Sequence, residues 1–250
     1  MSKKVTFLVT TNLYGSYGRL ATRQGEVLKK MGYEVNVIDV AHQKNGRLPG
    51  NRVVVYTTFN LMDEVIKRWG IGAKDDVVFH LDTALVTPPI LSVCNRLVQG
   101  FNIYTSSLFN RDFMKEFCEV PYLPHFVPPH PLPREEKKYD FITVGINIED
   151  IDRKGHYWNY LTQRWGFRSV KVCVGICYGN HVESVPDDVL FHMYNQSRFY
   201  LATSHAESPH LPLLEAFQYG IPAVYVDDHE FHRLGEKDDI GIPIPVTFRT

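Results

Sequence analysis

Cysteine is scarce in this chain of 250 residues, with four at positions 94, 118, 173 and 177. So few cannot staple a small secreted scaffold, and the three-residue gap between Cys173 and Cys177 departs from the usual zinc spacing. Buried free thiols are therefore expected, and with them a reducing, cytoplasmic compartment. Long apolar runs are lacking too. The first apolar stretch, after Met1-Ser2-Lys3-Lys4, is too short for a signal-peptide core, and nothing later reaches the length of a membrane span. Neither sign of charge is in excess: 27 Lys and Arg against 28 Asp and Glu leave a formal net charge of −1. That balance provides no general pull toward nucleic acid or an anionic membrane. The dinucleotide fingerprint G-x-G-x-x-G is missing, although Asp39 falls about where a ribose-binding acid would stand. His229-Glu230-Phe231-His232 is one residue short of a metalloprotease motif, and Asp150-Ile151-Asp152 reads as a solvated acidic turn. No metal site is expected.

What is present is an alternation. Apolar strands at 5–9, 35–40, 53–56, 77–81 and 102–105 are interleaved with helical patterns at 20–31, 61–69, 90–98 and 110–117. The alternation breaks at Pro121-Tyr122-Leu123-Pro124 and the proline-rich residues up to Pro133, which hold neither helix nor central strand. It restarts with strands at 141–144, 170–174, 199–202 and 223–226 and helices at 157–165, 188–195 and 211–219. Strands interleaved with helices predict an α/β fold of parallel sheets covered on both faces. The parse is two Rossmann-like domains, 1–122 and 139–250, joined by a linker at 123–138, with a ligand cleft between them at the carboxyl ends of the strands.

The most specific stretch is Glu207-Ser208-Pro209-His210-Leu211-Pro212-Leu213-Leu214-Glu215-Ala216-Phe217-Gln218-Tyr219-Gly220-Ile221-Pro222. Pro212 suits a first helical turn, and Gly220 followed by Pro222 ends the helix. A strand, a polar loop and a helix N-terminus make a corner receptive to phosphate. Two carboxylates separated by seven residues, Glu207 in the loop and Glu215 in the expected first turn, can hold two hydroxyl-bearing parts of one ligand. Taken alone, Glu215 reads first as a structural carboxylate favoured by the helix dipole. Elsewhere, His80 ends a buried strand, Gly15 to Gly18 form a glycine-bearing loop after the first strand, and Lys154-Gly155 precedes a helix. Each also has a bland reading: a structural histidine, a tight turn, a solvated charge.

Together these residues resemble the E-x7-E signature of retaining glycosyltransferases of the GT-B fold, particularly glycosyltransferase family 4. The resemblance is strongest at 203–222, and the chain is short for that family. It implies that Glu207 contacts the donor sugar and Glu215 the ribose, with His80 reaching the sugar and Lys154 neutralising the diphosphate. Gly15, Gly18, Gly145, Arg153, Ser208, Leu213 and Leu214 complete the implied donor-binding set. One departure stands out: Ile146-Asn147 follows Gly145 where the family carries an arginine, and Arg153 is the nearest substitute.

The implied reaction transfers a sugar from a nucleoside diphosphate sugar to an acceptor hydroxyl with retention, without a metal or other cofactor. The acceptor is a glycan, lipid or protein. Two rival readings remain at this stage: a non-catalytic nucleotide-sugar-binding protein of the same fold, and a transferase acting on nucleic-acid bases.

Overall fold

The computed structural model describes residues 3–10, 16–40, 46–48, 52–81, 90–125, 127, 129–147, 156–175, 181–183, 185–203, 211–226 and 241–244. The chain divides into two compact units, 1–128 and 129–250.

The first unit is built on five parallel strands, β1 (Lys4–Val9), β2 (Glu34–Asp39), β3 (Arg52–Thr57), β4 (Val77–Leu81) and β5 (Asn102–Thr105). Their order across the sheet is β2-β1-β3-β4-β5. Positions 5–9 of β1 are all buried, as expected for a central strand covered on both faces. The helices are α1 (Ser16–Lys30), α2 (Met62–Trp69), α3 (Ile90–Val98) and α4 (Leu108–Met114). Helix α2 shows why such segments coil: Met62, Val65, Ile66 and Trp69 recur at helical spacing and are all buried, while Gly70 closes the helix at φ 60°. Apolar packing forms two clusters, one including Phe59, Met62 and Phe79, the other Phe7, Tyr17 and Tyr56.

The second unit carries β6 (Tyr139–Asn147), β7 (Ser169–Gly175), β8 (His181–Glu183), β9 (Ser197–Ala202), β10 (Ala223–Val226) and β11 (Gly241–Ile244). All pair in parallel, in the order β11-β10-β9-β6-β7-β8. Helices α5 (His156–Arg164), α6 (Asp187–Asn195) and α7 (Leu211–Gln218) fill the crossovers. Gly220 stands at φ 63° just past α7, a left-handed stop that a β-carbon would strain.

The proline-rich segment contains no helix or named strand among its described residues, yet it is fastened at both ends. Thr105 N–H donates to Pro121 O at 3.0 Å and Leu123 N–H to Thr105 O at 2.9 Å, so 121–123 runs along the outer edge of β5. Further on, Asn195 Nδ2 donates to Pro133 O at 2.6 Å and Lys138 N–H to Gln196 O at 2.8 Å, which ties this part to the second unit.

Three sequence expectations are corrected. Cys94 and Cys118 form a disulfide, joining α3 to the turn after α4, and no cysteine among the described residues is free. The expected free thiols are therefore wrong, and the argument for a reducing compartment loses its ground. The two sulfurs meet because α3 and α4 flank β5, an adjacency that a spacing of 24 residues does not reveal. Second, α1 begins at Ser16, so Gly18 lies in a helix and not in a loop. Tyr17, Leu20 and Ala21 are buried at helical spacing around it, and that packing outweighs the low helix propensity of glycine. Third, α7 starts at Leu211 and has no acid in its first turn, which places Glu215 in the second turn.

Candidate functional site

In the second unit β6 pairs with β7 on one side and β9 on the other, so the connections leave in opposite directions from the carboxyl ends of β6 and β9. Such a reversal opens a crevice beyond the strand ends, where α/β sheets bind ligands. The chain leaving β6 leads to Arg153 and Lys154, and the chain leaving β9 leads to Glu207, Ser208 and α7.

Gly145 lies near the end of β6, in register with Cys173 of β7. A β-carbon built there meets no atom of the described residues within 4 Å. A glycine inside a strand costs conformational entropy and packs nothing, and it often marks a bulge, a bend or a place where a ligand or another backbone approaches closely. Among the described residues no neighbour requires glycine at this position.

Helix α7 presents the second carboxylate. Glu215 is 4% exposed, and Tyr194 Oη from α6 donates to its Oε2 at 3.0 Å. Tyr194 is itself fixed by stacking on Tyr219, with ring centroids 6.1 Å apart. Leu213 and Leu214 are the third and fourth residues of this helix; Leu213 is buried against the core and its N–H falls among those that a helix start leaves without an internal acceptor. Sequence reasoning missed Tyr194, because nothing in the spacing of residues 194 and 215 signals their meeting. It also missed Lys171, a fully buried lysine in β7 opposite Thr143 of β6, whose ammonium is pushed down by burial to about 8.

In the first unit His80 is 3% exposed at the end of β4. Its Nε2 bonds to Leu123 O at 2.8 Å, which makes this nitrogen the donor and leaves Nδ1 as the ring's acceptor. His125 meets it edge-on with centroids 4.5 Å apart, and Tyr56 lies 5.3 Å from His80 and 6.0 Å from His125, so the three rings form one cluster. Burial first, then the neighbouring His125 ring, lowers His80 to about 3, with the Leu123 carbonyl pulling the other way. Burial likewise lowers His125 to about 3. Both rings are neutral at ordinary pH. Tyr56 donates through its hydroxyl to Gln24 Oε1, and burial raises its pKa. His125 escaped notice because a histidine in a proline-rich stretch reads as exposed.

Gly15, Arg153, Lys154, Glu207 and Ser208 lie outside the described residues, as does the acidic turn at 149–152. Among the described residues no group of three or more His, Cys, Asp or Glu is placed to hold a metal, and no helix is long and apolar enough to cross a membrane.

Two parallel α/β units, each a strand–helix alternation, define the class. Sucrose-phosphate synthase from Thermosynechococcus elongatus superposes with a TM-score of 0.64 at 9% identity, over 97% of this chain and 86% of that one. T4 phage BGT in complex with UDP-glucose superposes at 0.58 and 12% identity, over 96% and 85%. At such identities the likeness establishes the fold, which is that of the GT-B glycosyltransferases. ORF315 of Acidianus bottle-shaped virus (isolate Italy/Pozzuoli), named as a glycosyltransferase, is 43% identical over 255 residues, covering 96% of this chain and 77% of that protein. The chain belongs to this viral glycosyltransferase family. It spans 53% of a further relative at 30% identity, ORF330 of Acidianus filamentous virus 2, and 45% of the TarM chain. No protein-family model matches it.

Proposed function

We propose that the protein is a retaining glycosyltransferase that moves a sugar from a nucleoside diphosphate sugar to an acceptor hydroxyl. The observation that carries this reading is Gly145: a strand glycine at the reversal between β6 and β9, with no atom of the described residues within 4 Å of where its β-carbon would stand. The diphosphate would lie against the backbone there, since no side chain of the described residues comes within 4 Å of that β-carbon position.

In this reaction the bond from the anomeric carbon to the diphosphate oxygen breaks. The electron pair leaves with the nucleoside diphosphate, a new bond forms to the acceptor oxygen, and the acceptor's proton passes to the departing phosphate. Negative charge grows on the leaving group, where preorganised donors contribute most. Lys154 and the N–H of Leu213 are assigned to it, without a metal ion. Approach of the acceptor on the face the leaving group vacates keeps the anomeric configuration without a protein nucleophile, unlike a retaining glycosidase. Glu207 orients the sugar and Glu215, held by Tyr194, takes the ribose. His80, neutral and tied to Leu123, serves as a positioning residue that fixes the end of β4.

Support comes also from T4 phage BGT, a structure of the same fold that binds UDP-glucose. The test is a thermal-shift screen of UDP, GDP, ADP and their sugars, followed by transfer assays of Lys154→Ala and Glu207→Ala. Each substitution is expected to slow transfer at least about tenfold, roughly 1.4 kcal/mol of barrier, with folding retained. Binding without turnover would identify a nucleotide-sugar-binding module instead. Full activity in both variants would remove the assignment.

A further inference from the structure

A pocket of about 190 Å³ opens in the first unit, lined by Thr10, Val40, Leu61, Glu64, Val65, Arg68 and Trp69. Such a volume is more than ten times the ~10–15 Å³ that admits one water. Its construction is regular. Leu61, Glu64, Val65 and Arg68 are one stripe along α2 and the residue before it, at spacings of three and four. Thr10 and Val40 stand just past the carboxyl ends of β1 and β2. These two strands are neighbours, and the reversal of the first sheet lies on the other side of β1, between it and β3.

The lining has two textures. Val40, Val65 and Trp69 are each 5% exposed or less and make an apolar wall. Trp69 cannot swing away, because Gly46 covers its six-membered ring so closely that a β-carbon there would sit 2.3 Å from Cζ3 and Cη2. The rim is polar: Arg68 and Glu64 form an ion pair one helical turn apart, each still partly open to solvent. The Thr10 hydroxyl donates to Tyr56 O at 3.2 Å, and its oxygen remains able to accept.

We infer that this pocket takes one pyranose ring of the acceptor, which makes the acceptor a glycan. A pyranose carries apolar C–H faces and a girdle of hydroxyls that both donate and accept. A carboxylate beside a guanidinium offers paired acceptors and paired donors to vicinal hydroxyls, and the two charges cancel. A nucleic acid would be met by uncompensated cations, and the described lining residues provide none. An alkyl chain would gain from the wall but would have to desolvate the ion pair. The inference rests on the transferase reading for the word acceptor, but not for the binding itself.

The experiment is saturation-transfer NMR on the whole chain with the methyl glycosides of glucose, galactose, mannose and N-acetylglucosamine. Octyl glucoside and a short DNA duplex serve as competitors. The expected result is saturation of ring protons in at least one glycoside, and binding weakened about tenfold by Glu64→Gln and by Arg68→Gln. Both substitutions alter partly exposed side chains and leave the apolar wall intact. Silence from all four glycosides, binding indifferent to both substitutions, or displacement by DNA would each overturn the inference. Nucleotide-sugar shifts measured in parallel separate the two claims. Donor binding without glycoside binding removes the pocket's role alone, and glycoside binding without donor binding removes the transferase.

Discussion

The buried pair His80 and His125 makes the first unit sensitive to acid. Both rings are held near a pKa of about 3, well below the ordinary histidine value of 6.5. Above pH 6.5 both are neutral in the folded and the unfolded chain, and the stability is fully present. Below it the unfolded chain takes up protons that the folded chain refuses, so stability is lost as pH falls from about 6.5 toward 3. Each ring contributes at most about 1.4 kcal/mol per pH unit, so a combined slope on the order of 2 kcal/mol per unit is expected. Urea midpoints measured across that range check it, and His125→Phe should flatten the acid limb by roughly half. An unchanged limb in that variant would place the titration elsewhere. Legibility at this scale was uneven. His80 was visible as a strand-end histidine because an apolar run preceded it, whereas His125 and Tyr194 act through contacts that no local pattern encodes.

At the scale of elements, β6 carries the sharpest expectation. Gly145→Val gives the strand a β-branched residue of higher strand propensity, and its β-carbon meets no atom of the described residues within 4 Å. The melting temperature should therefore hold or rise slightly while nucleotide-sugar binding, read by calorimetry, falls at least about tenfold. A variant that binds normally would show that the donor does not lie against this position. The long central strands were readable because runs such as Val53-Val54-Val55-Tyr56 leave no helical face for solvent. The short β8 and β11 were not. His181-Val182-Glu183 is three residues with two polar ones, and Gly241-Ile242-Pro243-Ile244 contains the residue that argues most strongly against a strand. Both lie at or near the sheet's margins, where such residues are tolerated. The start of α1 was misplaced because a glycine at position 18 suggests a loop until its buried neighbours are known.

For the whole molecule, the disulfide is the main departure from what the composition implied. Closing a loop of 24 residues restricts the unfolded chain by about 3 kcal/mol in the chain-entropy picture. Replacing Cys94 and Cys118 together with alanine should lower the denaturation midpoint accordingly, and a reductant should then have little further effect on the first unit. Equal stability of the two forms would mean that the bond constrains nothing. The α/β fold with its parallel strands followed from the alternation alone, since that is written in local sequence. The proton-neutral histidines, the buried Lys171 and the pocket beneath α2 depend on packing and could not be read the same way.

The pairing of residues 121–123 with the margin of β5 governs how the protein can be dissected. Those residues occupy main-chain groups that would otherwise be free to recruit a strand from another molecule. A fragment ended at residue 120 would expose that row and also strip His80 of its carbonyl partner. One ended beyond His125 keeps both, and a complementary piece begun before Pro133 retains the anchor to Asn195. The place to separate the halves for independent expression thus lies inside the proline stretch, not at its upstream border.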